Sequence, residues 1–283
     1  MKVKKRLQDV GNPLALKEYE QWASMAQQGE EGELAWIKAV HYEFDDPNNS
    51  HFLGVRSSRE RIPPLLQALS PQPGEVILDI GCGDGAVSYR IAKAGAQSVS
   101  LDINERAMRL GRKLMEQIGV FPQPIWILAD GCNLPFRDES FDKVVCADVW
   151  EHLTYEQKHV LLLESARVLK HGGLLVLTTP NGIRVQVGLI KWKLWAILHG
   201  VSPKQIKPAW EGQGGHIGLD TPKTFLRFLR SRLGENVQLI PTISFLRPRY
   251  REHDYWFVSL LRSISPAFSF LTSARLLAVW RKN

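Results

Sequence analysis

Gly81, Gly83 and Gly85 alternate with Cys82 and Asp84 directly after the apolar run Val76-Ile77-Leu78-Asp79-Ile80. Glycine tolerates positive φ and lets a ligand lie against bare backbone. A β-prone run that breaks this way and enters an apparent helix, Ala86 to Ala94, builds a nucleotide pocket at the carboxyl end of a strand. The spacing is G-x-G-x-G, not the G-x-G-x-x-G of dinucleotide loops, and Asp84 inside the loop would repel a pyrophosphate. A carboxylate there suits a ligand with a cationic or hydroxyl-bearing end. Asp102 ends the next apolar run, 17 residues past Gly85, where an acid accepts ribose hydroxyls. Asp130, followed by Gly131, ends a third run, where a carboxylate can accept from an exocyclic amine. A tight turn without a ligand competes as the reading of the glycines alone, and a lone acid at a strand end is more often a cap. Acids at successive strand tips are much harder to ascribe to accident.

Those residues need a parallel sheet that brings their strand ends to one edge. The pattern predicts strands from Val76, over Gln97–Leu101, Pro124–Ala129, Phe141–Cys146, Leu174–Thr178 and about Val237–Ile240, and a terminal strand over Ala274–Trp280. Helices are expected within 13–43, over 57–69 and over Tyr155–Leu169, the last closed by the basic turn and glycines of Lys170-His171-Gly172-Gly173. Thr221-Pro222 opens a further helix to about Leu233. Alternation of strand and helix to residue 179 implies an α/β sheet with helices on both faces.

The Leu78–Gly85 run, the Asp130-Gly131 pair, the Leu134-Pro135-Phe136 turn with Phe141-Asp142, and the Gly172-Gly173 turn together resemble the class I S-adenosylmethionine-dependent methyltransferases. Within them the chain is similar to the small-molecule branch that includes ubiquinone-biosynthesis O-methyltransferases. The resemblance covers about residues 56–180. It implies a doubly wound, Rossmann-like sheet of seven mostly parallel strands, with the last one antiparallel. Residues 1–55 would be a helical N-terminal lid. Residues 56–283 would form the catalytic domain, with cap insertions at about 183–220 and 244–272. It implies S-adenosyl-L-methionine as cofactor, with Gly81, Gly83 and Gly85 at its methionine part, Asp102 at the ribose and Asp130 at the adenine. Asp79, Cys82, Ile103, Gly131 and Asp148 complete the implied cofactor contacts, and Val149 or Trp150 borders the pocket.

Methyl transfer from a sulfonium asks the protein mainly for alignment and exclusion of water. A base is needed only where the acceptor must lose a proton. His152, after Glu151 at the exit of the fourth strand, and His216, in Gly214-Gly215-His216-Ile217-Gly218, are the two candidates. No metal is expected, since Glu151-His152 has no further identifiable ligand. Tyr19, Tyr42 and Arg56 are candidate contacts from the lid.

The chain has 283 residues, 44% hydrophobic and 23% charged, with net charge +7, which fits an ordinary globular enzyme with one core. Cys82, Cys132 and Cys146 lack metal-like spacing and read as free thiols in a reducing compartment. A basic start without an apolar run argues against a signal peptide, and no window is apolar enough to span a bilayer, so a cytoplasmic enzyme is expected. A nicotinamide dehydrogenase is disfavoured by the glycine spacing. A nucleic-acid amino-methyltransferase is disfavoured by Ala147-Asp148-Val149-Trp150 where an Asn/Asp-Pro-Pro-aromatic turn belongs. A non-catalytic scaffold has little use for the loop and both acids. Residues 187–201 and 254–271 read as candidate apolar helices rich in aromatic residues. They are either cap helices buried against each other or a peripheral membrane contact for a hydrophobic, lipid-like acceptor. The acceptor atom is expected to be oxygen, with nitrogen or carbon as alternatives, and no nucleic-acid partner is expected.

Overall fold

Alternation within the strands decides the layering of the chain, whose computed structural model describes residues 29–42, 54–198, 200, 202, 217–241, 273 and 275–283. In β1 (Val76–Ile80), Leu78 and Ile80 face one apolar layer and Ile77 the other; in β4 (Phe141–Ala147), Val144 and Cys146 oppose Val145 in the same way. Strands apolar on both faces must be covered on both. The first face is covered by α5 (Tyr155–Val168) and α7 (Pro222–Leu233), through Leu161, Leu162, Phe225 and Leu229. The second is covered by α2 (Gly54–Leu69) and α3 (Ala86–Lys93), through Leu65, Leu69, Val87 and Ile91.

The sheet completes with β2 (Gln97–Asp102), β3 (Ile125–Leu128), β5 (Leu169–Pro180), β6 (Gln238–Pro241) and β7 (Arg275–Arg281), in the order β3-β2-β1-β4-β5-β7-β6. β1 to β5 are parallel, and β7 runs antiparallel between β5 and β6. The expected seven-stranded, mostly parallel α/β sheet is therefore present.

Two expectations need correction. Lys170–Gly173 is not a helix end: α5 stops at Val168 and β5 starts at Leu169, passing through Gly172 at φ 75. Gly173 has no room for a Cβ, because Lys170 O would lie 2.7 Å away and Asp142 O 3.0 Å away. The basic-then-glycine signal marks an irregular start of a strand, and the register shift between Phe141 and Lys143 absorbs it. Trp150 does not border the pocket. It is buried at 1% exposure, edge-on to Phe225 and Phe228, and its indole donates to Asp220 at 2.9 Å.

The N-terminal segment contributes α1 (Gly29–Ile37) and a π-helical turn over Lys38–Tyr42. It docks on α3 and α4 (Glu105–Gln117). Leu34, Ile37 and Tyr42 pack with Ala92, Leu110, Leu114 and Met115. Glu33 pairs with Arg106, and Glu30 with Arg109 and Lys113, but these exposed pairs add little beside the apolar contact. After β5, α6 (Gly182–Leu198) opens the insertion. The insertion's two ends are stapled: Gly182 N donates to Asp220 O at 2.9 Å, and a Cβ on Gly182 would meet that same oxygen at 2.9 Å. Gly218 N donates to Glu151 O at 3.0 Å. Lys158 Nζ holds Gly218 O at 2.6 Å and Asp220 at 2.8 Å. Residues 13–28, 203–216 and 254–271, with Tyr19 and His216 among them, lie outside the described residues, as does the side chain of Arg56.

Candidate functional site

The glycine loop is forced by what surrounds it. Gly81, Gly83 and Gly85 all have positive φ, at 72, 55 and 82. A Cβ on Gly81 would lie 2.0 Å from Val149 Cγ2, and one on Gly85 would meet Trp126 and Met115 within 2.7 Å. Gly83 is different, since its Cβ would meet no protein atom within 4 Å. Its bare face is the one available to a ligand. The loop is fastened to β2: Gly81 N and Cys82 N donate to Leu101 O, and Gly83 N donates to Asp102 Oδ2 at 2.7 Å. Asp102 Oδ1 accepts from Asn104 N at 2.8 Å. Each carboxylate oxygen keeps a lone pair for a ribose hydroxyl. Ile103, beside it, is 74% exposed.

The remaining predicted residues divide. Asp130 lies exposed at the end of β3, its Oδ1 accepting from Cys132 N at 2.9 Å. Gly131 needs its missing side chain, since a Cβ would come within 2.7 Å of Ile80. Asp79 sits beneath the loop at 1% exposure and accepts from Ser88 at 2.6 Å, in a chain that continues to Ser100 and Ser98. Burial pushes its carboxyl up to about 7 despite the Ser88 hydroxyl. Cys82 is buried, and burial together with Asp79, Asp102 and Asp84 raises its thiol well above the usual range, so it is no nucleophile. Asp148, at φ 61, is gripped by two guanidiniums: Arg61 Nη1 donates at 2.7 Å and Arg275 binds the other oxygen. That contact set assigns Asp148 to holding Arg61 and Arg275 in place.

Sequence reasoning missed Arg61. It lies at positions common on any helix surface, 87 residues from Asp148, and no spacing signals the pairing. Its Nε is buried without a hydrogen-bond partner. Burial lowers the pKa of the guanidinium, against the charges of Asp84, Glu151 and Asp79. An orphaned buried cation donor above β1 and β4 fits the carboxylate of an amino-acid ligand. Asp84, read from the sequence as facing a ligand, is instead met by the N-terminal segment: its Oδ2 lies 2.5 Å from His41 Nδ1 and its carbonyl accepts from Tyr42 at 2.5 Å, contacts that sequence reasoning missed. Burial raises the Asp84 carboxyl, but His41 and Arg61 outweigh it and leave the pKa below the usual value. Tyr42, expected from the lid, does reach the loop. A cleft of about 230 Å³ opens here between α1 and α4, lined by Trp36, Ile37, Asp84, Asn104 and Arg106 among others.

At the exit of β4 a short 3-10 turn, Trp150–His152, carries Glu151 and His152. Glu151 is 2% exposed and accepts from Thr179 at 3.0 Å. Burial pushes its carboxyl up to about 7, against Thr179 and the charges of Arg61 and Lys158. His152 lies exposed beside it. Among the described residues no group of three or more His, Cys, Asp or Glu side chains converges as metal ligands.

Known proteins resemble this chain in sequence over part of its length and in fold. Residues 78–177 match the family described as "Methyltransferase domain". The chain is similar to 24-methylenesterol C-methyltransferase 2 of Oryza sativa subsp. japonica, 32% identical over 145 residues, or 51% of this chain and 39% of that protein. It is also similar to demethylmenaquinone methyltransferase of Tropheryma whipplei (strain Twist), 36% identical over 103 residues, or 36% of this chain and 41% of the other. The chain thus spans about two fifths of the length of these relatives. In fold it matches a SAM-dependent methyltransferase from Methanosarcina mazei, with TM-score 0.51 and 20% identity over 78% of this chain and 97% of that one. The glycine loop, Asp102, the Asp130-Gly131 pair and the strand-four exit all lie within residues 78–177, the segment that matches the methyltransferase-domain family.

Proposed function

We propose that the chain transfers a methyl group from S-adenosylmethionine to a small apolar acceptor. The observation that carries this is the Gly83–Asp102 junction: a bare backbone face with positive φ, its amide on a carboxylate that retains capacity for ribose hydroxyls. Bound there, the cofactor supplies an electrophilic methyl on a sulfonium. Asp102 would hold the ribose, Ile103 and Asp130 would flank the adenine, and Arg61 Nε would take the amino-acid carboxylate. The carboxyl groups of Asp84, Glu151 and Asp79 act electrostatically on Arg61.

Proton removal is assigned to Glu151. It is buried at the strand-four exit, within reach of Thr179, with a carboxyl that titrates near neutral pH. His152 on the same turn and His216 beyond the described chain remain the competing bases. The relatives' names include a C-methyltransferase and a demethylmenaquinone methyltransferase, which supports carbon as the acceptor atom alongside the oxygen read from the sequence. Calorimetry tests the cofactor: S-adenosylmethionine should bind and NAD should not. Incubating the chain with methyl-labelled cofactor and a lipid extract, then finding no labelled apolar product by mass spectrometry, would remove the acceptor class.

A further inference from the structure

Helix α6 has the wrong outside for a water-facing helix. Val187, Ile190, Leu194 and Ile197 recur at spacings of three and four, so they share one stripe, and they are 58%, 58%, 56% and 57% exposed. Leu198 extends the stripe at 82%. The opposite side faces the protein, with Ala196 fully buried and Val185 and Leu189 half-buried. The helix is thus apolar towards the core and apolar again directly away from it. A surface helix normally turns charge outward, and a contiguous apolar face marks an interaction site.

Charge selects the partner. Between Asn181 and Trp210 the chain carries five Lys or Arg and no Asp or Glu. Lys193 stands exposed on the helix itself. An apolar stripe in a stretch without acids, on a chain of net charge +7, complements a surface that is anionic above and apolar below. With 17 residues, α6 is too short to cross a bilayer, and no described helix is long and apolar enough to do so. It also begins just after β5, two residues past Pro180 and three past Thr179, whose hydroxyl binds Glu151. The helix therefore leaves the sheet at the edge that carries the methyl-transfer site.

We infer that α6 lies in the plane of an anionic lipid surface, with Val187, Ile190, Leu194 and Ile197 inserted, so that an apolar acceptor passes from the lipid to the site. The docking itself rests on the stripe and its charge. Only its purpose rests on the reading of an apolar acceptor.

The test is flotation of the full chain with phosphatidylcholine vesicles and with vesicles that also contain phosphatidylglycerol. The chain should float with the anionic vesicles and scarcely with the neutral ones, and rising salt should release it. Ile190→Gln with Leu194→Gln changes two exposed side chains and should cut partitioning about tenfold or more. The affinity of that variant for S-adenosylmethionine should stay unchanged. Equal flotation of variant and parent overturns the inference, as does a parent that ignores anionic vesicles. So does a parent that forms dimers lost in the variant, because the stripe then belongs to a second copy. A folded variant whose stripe is already protected from solvent labelling in the parent without lipid assigns the cover to the chain's own segment and also overturns it. Failure of cofactor binding in the parent would strike the proposed activity and leave flotation intact.

Discussion

At the site, single atoms have separable jobs. Asp102 bonds two backbone amides, and if it also holds the ribose as proposed, Asp102→Asn should weaken S-adenosylmethionine binding by about 10- to 100-fold in calorimetry. Gly81→Ala would place a methyl 2.0 Å from Val149 at a positive φ. The variant should lose about 2–4 kcal/mol of stability in urea melts, together with cofactor binding. Glu151 must be deprotonated to accept a proton, and its carboxyl titrates near 7. The rate should therefore rise as pH climbs through about 7 and then level, and Glu151→Gln should lower kcat and remove that rise while sparing cofactor affinity. If Glu151→Gln keeps the pH profile and His152→Ala loses it, the histidine is the base. Asp79 obeys the same titration with a different consequence. Its folded pKa of about 7 exceeds the usual 3.8, so folding takes up a proton between those values and stability falls as pH rises from about 4 to about 7. Asp79→Asn should remove that decline, and its melting temperature should exceed the parent's at pH 8 and match it near pH 4.

Elements were legible where a local signal sets them. The Thr221-Pro222 start appears as α7 with a full capping box at Thr221 and Thr224, because cap chemistry is written within four residues. Strand tips at 80, 102 and 128 were readable from apolar runs ending in an acid or glycine. The start of β5 was not, since Lys170-His171-Gly172-Gly173 has the composition of a helix end and only pairing with β4 makes it strand. Arg167 shows the same limit. From sequence it is a polar position on α5. In the structure its guanidinium binds Leu134 O, Phe136 O, Asp138 and Glu164, and so fixes the loop between β3 and β4. The stem of the insertion depends likewise on distant partners. Lys158 is 7% exposed and binds Asp220, so Lys158→Ala should cost about 3–5 kcal/mol and show as a lower Tm.

Across the whole molecule, Asp148 draws together segments that sequence order keeps apart. Arg61 comes from α2, Asp148 from beyond β4 and Arg275 from the first residue of β7. The sheet topology makes this possible, and no spacing along the chain announces it. The glycine loop and the acids at the strand ends were therefore readable from motifs that each lie within one strand and its following loop. The positive charge above it was not, because it arrives by tertiary convergence.

The staple between Gly182 and Asp220 has a consequence for how such a protein can change. The polypeptide leaves the scaffold and comes home across a single amide-to-carbonyl link, so the stretch in between behaves as a detachable loop on a fixed socket. Doubling the length of that stretch raises its closure cost by only about 0.6 kcal/mol. A lineage can exchange it for a longer, shorter or greasier one while the strands of the sheet stay where they were.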